Sequence, residues 1–495
     1  MAVPPLNPDE FAGTAELFAA AAQAYGDRIA YVDRGDRIGF AEWYRRSQTV
    51  AAQMRRRGVG AGEVVALLLP SGIDYAVCYG AAALLGAITT GVNPRLGPYE
   101  VIGILARADP ALVVVDEATA KAELAGCPTL RRAELASGVG AVVPPAPTTR
   151  SDPVALIFSS GTTGQPKGAI FDADNLAAGA LASGVMSEPF DRRLTSTPFS
   201  HAGYMFKLWD QLVWGSTLVI PDTPWSVQSM VARLTEERIT VAGAVPTQWE
   251  KLLDSDVSRE SLSHLRIGVV ASAPASPELV RRVGERIGVP LVVRYAMTEC
   301  PTISGTDPDD PPDLLCTTVG RPAPGMAVRI NDGLVEVSGP CVMRGYWRQP
   351  DLTAETVRDG WLRTGDVGEI GEDGCLRLLG RSGDMYIRGG FNVHPLEVER
   401  VLARHPGVAR VAVVSRPAPV IGEIGVAFVV PAGEPPSLFD VRGWVSDRLA
   451  DYKAPDELVI VDELPLTAMF KPDRAALRRR LEAASGARGG PGQRR

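Results

Sequence analysis

The ten residues Ser159, Ser160, Gly161, Thr162, Thr163, Gly164, Gln165, Pro166, Lys167 and Gly168 supply four hydroxyls, three glycines and one lysine, with no acid among them. Glycines let backbone N–H groups approach a ligand closely, and successive N–H groups in a turn form an anion-binding concavity. Hydroxyls add donors, and Lys167 adds a point charge suited to phosphate. An apolar run over 154–158 reads as a buried strand feeding the stretch. A plain Gly/Ser/Thr surface loop is the commoner fate of such composition, but the strand before it and the lysine closing it favour an anion cradle. No Ser or Thr follows Lys167, as the G-x-x-x-x-G-K-[ST] phosphate loop would need to hold a magnesium ion. That spacing argues against a switch-type or mechanical NTPase.

Further groups with chemical potential follow. An apolar strand over 291–294 ends in Tyr295, Ala296, Met297, Thr298 and Glu299. There an aromatic can stack on a base, a hydroxyl can donate to phosphate and a carboxylate can hold a divalent cation. A strand over 267–270 runs into Ala271, Ser272 and Ala273, small residues that leave room for a flat ligand against the backbone. His201 sits in Pro198-Phe199-Ser200-His201-Ala202-Gly203, where a purely structural histidine is an equal alternative on sequence alone. Asp366 ends Thr364-Gly365-Asp366, Arg381 and Gly383 lie in Gly380-Arg381-Ser382-Gly383-Asp384, and Lys471 closes the 464–471 segment. Gly345-Tyr346-Trp347 and the Gly/Pro segments from 320 read as structural turns.

The elements that must position these groups alternate. Helical patterns at 15–24 and 40–57 and strands at 29–32 and 64–69 open the chain. The apolar segment 76–92 is shorter than a membrane span and reads as a packed helix. A helix is expected over 174–186, and the alternation continues to 300. Such a pattern predicts an α/β domain with parallel-sheet subdomains plus a small β-subdomain. After about 383 it changes to a compact α+β unit, with a helix over 396–405 and strands over 408–414 and 425–430. The predicted division is an N-terminal domain over 1–382, a C-terminal domain over 383–484 and a disordered tail over 485–495.

Composition narrows the function class. With 58 acidic and 51 basic residues, the formal charge of −7 gives no nucleic-acid footprint. The start Met1-Ala2-Val3-Pro4-Pro5 shows no secretory pattern, and no stretch reads as a membrane span. Six scattered cysteines without a C-x-x-C pair point to reduced thiols in a cytoplasmic protein. Only six basic residues are lysine, so Lys167 and Lys471 stand out against an arginine background.

The motifs, in this order and spanning about residues 15–482, closely resemble the adenylate-forming superfamily of acyl-CoA synthetases, firefly luciferase and peptide-synthetase adenylation domains, and most of all a bacterial acyl-CoA synthetase. The resemblance implies that a carboxylate attacks the α-phosphate of ATP, giving an acyl-adenylate and pyrophosphate, and that CoA then displaces AMP. It implies that 159–168 clamps the pyrophosphate side and that Glu299 holds Mg2+. Thr298 would donate to the α-phosphate, and Tyr295 to Met297 with Ala271 to Ala273 would wall the adenine. His201 would lie between the acyl pocket and the nucleotide and count with Thr298 and Glu299 among the catalytic residues, and with Ala202, Gly203, Ala271 and Ala296 it would border the acyl pocket. Asp366 would accept the ribose hydroxyls, with Arg381 on the ribose or phosphate side. Lys471 would be the catalytic lysine of adenylation. Arg388, Gly389 and Gly390 would face CoA once a mobile C-terminal domain rotates about Gly383.

Three positions depart from the family pattern. Ala296 replaces a usual glycine, Gly383 a usual Asp or Lys, and Phe470 the glycine before the catalytic lysine. Amino-acid-activating members of the superfamily place an Asp just after the Pro198–Phe199 position to pair with the amino group, and Ser200-His201-Ala202-Gly203 offers none, so the resemblance implies an acid without an α-amino group. The small residues suggest a bulky or cyclic acid, and fatty acids stay open. An adenylate ligase loading a carrier protein and a non-catalytic acyl- or nucleotide-binding relative remain the alternatives.

Overall fold

Strands covered on both faces are written as continuous apolar runs, and Val64–Leu68, Leu112–Val115 and most of Pro153–Ser159 follow that rule. The computed structural model describes residues 3–116, 124, 126–137, 143–159, 166–195, 197–222, 225–270, 277–467 and 472–487. These fall into two compact units, the first built from residues up to 270, 277–329 and 336–363, the second from 330–335 and 364–487.

The first unit holds two large mixed sheets. One runs in the order Gly345–Tyr346, Lys167–Asp172, Pro153–Ser159, Ile88–Gly91, Val64–Leu68, Leu112–Val115, Thr129–Arg131. Its strands are parallel except at the first two pairings, where Lys167–Asp172 runs antiparallel to both neighbours. The nine-stranded sheet has the order Arg321–Pro322, Cys300–Gly305, Leu291–Met297, Ile267–Val270, Val241–Ala244, Arg192–Leu194, Thr217–Ile220, Ile29–Asp33, Asp36–Gly39. Short strands occupy the region expected to form a β-subdomain, and two of them extend the edges of these large sheets.

Two expected helices are shorter than their apolar patterns. The segment 76–92 is not one helix: Ile73–Leu84 is helical, and Ile88–Gly91 is a buried strand. Gly86 at φ +66° ends the helix in the left-handed region, and Ile88, Thr89 and Thr90 favour the extended chain. The helix expected over 174–186 is Ala173–Leu181, opened by a capping box in which Asp172 and Asn175 exchange side-chain-to-backbone bonds of 2.9 and 3.2 Å. A separate 3-10 turn, Gly184–Met186, follows it.

In the second unit the sheet order is Phe391–Val393, Tyr386–Arg388, Gly422–Pro431, Val408–Ala418, with Glu457–Ile460 parallel to Gly422–Pro431. Helices Pro395–Leu402 and Leu438–Ser446 bury Val398, Leu402, Val441 and Val445 against it. Arg474–Ala487 covers the other face through Leu477. That helix carries three residues of the expected tail, 485–487; residues 488–495 lie outside those described. The strand Trp361–Ile370 pairs its first two residues with Arg358 and Val357 in the first unit, and Asp366 to Ile370 with Leu376–Arg381 in the second.

A charged cluster lies inside the first unit. Asp210 is fully buried, paired with Arg193, and accepts 2.7 Å hydrogen bonds from the Ser183 and Ser187 hydroxyls. Burial would raise its carboxyl, but the Arg193 and Lys207 charges and the serine donors outweigh that and hold it below the ordinary range. Lys207 donates to Ser183 at 2.9 Å. Asp210→Ala leaves these cations without their counter-charge and should cost about 3–5 kcal/mol, read by chemical denaturation; a loss under about 1 kcal/mol, the size of an exposed pair, would contradict the role.

His394 opens the helix Pro395–Leu402 in the second unit, and its buried Nδ1 meets no hydrogen-bond partner among the described residues. Burial lowers its pKa, with Lys453 assisting and Glu397 opposing. The unfolded chain therefore binds the extra proton first as pH falls below about 6.5, and stability drops with it. The melting temperature should fall more steeply between pH 7 and 5 in the natural chain than in His394→Gln; identical profiles would exclude His394 as the cause.

Candidate active site

The stretch 159–168 is the end of a β-hairpin. Ser159 pairs with Lys167 and Phe158 with Gly168, so the connection is 160–166. The strand bearing Lys167 is held on its other side by Gly345–Tyr346, with Tyr346 opposite Ala169, and Trp347 N–H donates to the Gly168 carbonyl at 2.8 Å. Backbone ladders thus fix Ser159, Lys167 and Tyr346 on three neighbouring strands.

A second hairpin brings Glu299. Met297 pairs with Cys300, which makes Thr298 and Glu299 the two turn residues between Leu291–Met297 and Cys300–Gly305. Glu299 is only 8% exposed. Its Oε1 accepts from the Tyr346 hydroxyl at 2.9 Å and from the Ser159 hydroxyl at 3.4 Å, and its carbonyl accepts from Met343 N–H at 2.9 Å. Burial, and next the charge of Glu299, push the Tyr346 phenol well up, so it is a proton donor at neutral pH. The Lys167 ammonium lies 5.8 Å from the centre of the Tyr346 ring, within cation–π range. Tyr295 is buried, Ala296 is exposed, and Met297 and Thr298 are half-buried.

His201 is half-buried and stands just before the short helix Ala202–Met205. Its segment is fixed by the stacking of Phe199 on Tyr204, centroids 3.6 Å apart, and by the Phe199 N–H donating to Ser71 at 3.0 Å. At Gly203 a Cβ would stand 2.5 Å from the Thr197 hydroxyl, so a side chain there would displace Thr197. Ala202 is half-buried and Gly203 exposed.

In the second unit, Asp366 and Arg381 face each other across paired strands. Arg381 Nε donates to Asp366 Oδ1 at 2.9 Å, and the Thr364 hydroxyl accepts the Asp366 N–H at 3.0 Å. The carboxylate is buried while the guanidinium is exposed. Gly383 is exposed, its φ lies outside the left-handed region, and a Cβ there would meet nothing within 4 Å. Gly389 and Gly390 are both left-handed, at φ +59° and +88°. The Arg388 guanidinium is engaged by Asp456 at 2.7 and 2.9 Å.

Within the first unit, the expected Ser159, Lys167 and Glu299 come together; within the second, Asp366 and Arg381 do. Ser160, Gly161, Thr162, Thr163, Gly164, Ala271, Ser272, Ala273, Phe470 and Lys471 lie outside the described residues. Tyr346 was read from sequence as part of a turn. No spacing rule ties it to a carboxylate 47 residues away, and only the pairing of Gly345–Tyr346 with the Lys167 strand places it here.

This arrangement can bind an anion beside a buried carboxylate, and comparison with known proteins gives it a setting. The chain is 33% identical to 3-[(3aS,4S,7aS)-7a-methyl-1,5-dioxo-octahydro-1H-inden-4-yl]propanoyl:CoA ligase of Rhodococcus jostii (strain RHA1), over 92% of this chain and 96% of that protein. It is 32% identical to a feruloyl-CoA synthase of an Amycolatopsis species, over 90% and 94%. Its fold matches the o-succinylbenzoate CoA synthetase of Bacillus subtilis, solved with the acyl-adenylate intermediate, at a TM-score of 0.85 and 26% identity, covering 94% of this chain and 99% of that one. Residues 18–347 match the AMP-binding enzyme family and 397–471 its C-terminal domain, so this chain belongs to the AMP-binding enzyme family.

Proposed function

We propose that the acid activated by this protein carries a ring system and no α-amino group. The chain is an ATP-dependent acyl-CoA synthetase working through an acyl-adenylate. Two relatives named for acids built on a fused bicyclic or an aromatic ring support the ring, and so do the small residues Ala202 and Gly203 after His201. The same segment offers no carboxylate to meet an amino group.

A carboxylate is a poor nucleophile toward an already anionic phosphate, so charge must be neutralised and the partners held in line. The observation that carries our assignment is the buried Glu299 with Ser159 and Tyr346 on one oxygen and the Lys167 strand alongside. We assign Mg2+ to Glu299. Among the described residues no group of three His, Cys, Asp or Glu could hold a metal unaided. One hard carboxylate completed by substrate phosphates is the usual magnesium arrangement. Held there, the ion would supply positive charge that offsets the phosphates. Lys167 and residues 159–164 take the pyrophosphate side, and Thr298 donates to the α-phosphate. Tyr295 to Met297 and Ala271 to Ala273 border the adenine. Ala271 and Ala296 join His201, Ala202 and Gly203 around the acid.

Asp366 takes the ribose hydroxyls and Arg381 orients it. Lys471 steadies the attacking carboxylate and the α-phosphate. In the second half-reaction the CoA sulfur attacks the acyl carbonyl and AMP leaves. Gly390 brings its backbone to the pantetheine, and Gly389, whose N–H is committed to the Ile421 carbonyl, allows the close approach by lacking a side chain. Arg388 contributes through its main chain, since its guanidinium is committed to Asp456. Gly383 serves as the hinge, at an exposed site where a side chain would fit and glycine adds freedom. A cytoplasmic setting, where ATP and CoA are at hand, accords with the reading.

ATP–pyrophosphate exchange with aryl, polycyclic and straight-chain fatty acids tests the substrate class. Ring acids should give the highest kcat/KM, and a uniform preference for fatty acids would overturn it. CoA should accept the acyl group, and acylation of holo carrier protein in its place would shift the acceptor. Lys471→Ala should cost on the order of 10²–10³-fold in adenylate formation while largely sparing thioester formation from preformed acyl-AMP. Lys167→Ala should weaken ATP use only moderately. Equal losses in both variants would remove the division of labour between the two lysines.

A further inference from the structure

We propose that Tyr346 is a positioning residue that aims the Glu299 carboxylate at the nucleotide-bound metal, an inference resting on the assignment of Glu299 above. Tyr346 and Ser159 both donate to the same oxygen, Oε1. Both donors occupy Oε1, which leaves Oε2 as the oxygen we assign to the cation. Mg2+ demands near-octahedral geometry, and a ligand's orientation is set by the groups that hold its far side. A glutamate on a two-residue turn has three rotatable side-chain bonds, and two donors on one oxygen remove most of that freedom.

Tyr346 is itself held. Its N–H donates to the Thr353 hydroxyl at 2.8 Å. Gly345 adopts φ +149° against Thr353, where an added Cβ would stand 2.8 Å from the threonine methyl. The same residue is paired through its backbone to the strand that carries Lys167, whose ammonium lies near its ring. Tyr346 therefore ties the lysine assigned to the pyrophosphate to the carboxylate assigned to the metal, within a single unit of the protein. A tyrosine serving only as packing would have no need to place its hydroxyl at 2.9 Å from a buried carboxylate.

Tyr346→Phe keeps the ring and deletes the donor. The test measures Mn2+ binding to the full-length protein in the presence of ATP, without acid, by electron paramagnetic resonance, and ATP binding in EDTA by calorimetry. Mn2+ affinity should fall about ten-fold, as for other outer partners of metal ligands, while metal-free ATP affinity stays the same. In pyrophosphate exchange the apparent Mg2+ constant should rise by the same factor, with kcat at saturating metal nearly kept. Adding Tyr346→Phe to Glu299→Gln should weaken Mn2+ binding no further, since the tyrosine acts through that carboxylate. Unchanged Mn2+ affinity in Tyr346→Phe, equal losses of ATP affinity with and without metal, or additive effects in the double variant would each overturn the proposal. If the natural protein with ATP binds no Mn2+, the assignment of Glu299 fails, and this inference falls with it. The coupling to Glu299→Gln is a difference between variants, so it stays informative even if Tyr346→Phe lowers stability.

Discussion

A carboxylate as enclosed as Glu299 has to be met by donors, because a buried charge without hydrogen bonds is too costly for a fold to carry. Its donors come from elsewhere in the chain. Glu299 sits on a hairpin of the nine-stranded sheet, while Ser159 and Tyr346 belong to strands of the seven-stranded sheet. Hydrogen bonds to a charged group contribute about 1.5–3 kcal/mol each. They, with the backbone bond from Met343 to the Glu299 carbonyl, register one sheet against the other. The placement of Lys167 follows, since its strand lies between those of Ser159 and Tyr346.

The same economy of paired charge runs through the rest of the first unit, and arginine is its instrument. Glu237, 3% exposed, is met by Arg37 at 2.9 Å and Arg192 at 2.6 Å, which ties the end of a helix to the edge strand Asp36–Gly39 and to Arg192–Leu194. Asp191 is met by Arg266. The planar guanidinium suits such bidentate, low-exposure pairs better than an ammonium does. This also bears on the scarcity of lysine. Lys207 is half-buried and donates to Ser183 beside Asp210, and Lys453 is bound by both oxygens of Glu397 at 2.7 Å. Scarcity alone therefore does not mark a lysine as catalytic; Lys167 stands apart through its place at the hairpin end.

In the second unit a smaller set of contacts prepares the parts assigned to nucleotide and thiol. Asp366 is held by Thr364 and Arg381 on adjacent strands, so its orientation is set before any ligand arrives. Gly389 and Gly390 take left-handed conformations that a side chain would strain, and Gly389 N–H is fixed by the Ile421 carbonyl at 2.8 Å. Gly383, by contrast, is under no conformational demand for glycine.

Much of the fold was legible because burial and period act locally. The strand at 154–158 and the helix at 40–57 follow from their own residues, as does the switch to a smaller α+β unit. Misreadings fell where a local signal was outvoted, as at 76–92, where Gly86 in the left-handed region breaks an apolar run into helix and strand. Candidate residues that share a motif, such as Thr298 with Glu299, were visible together because a hairpin turn needs only adjacent positions. The linear chain carries the chemical inventory, its order and the mark of the family to which it belongs. Three meetings arise only on folding: Tyr346 with Glu299, Asp366 with Arg381 and Arg388 with Asp456. Those meetings depend on strand order and register, which join residues tens of positions apart and leave no period or motif in the chain to announce them.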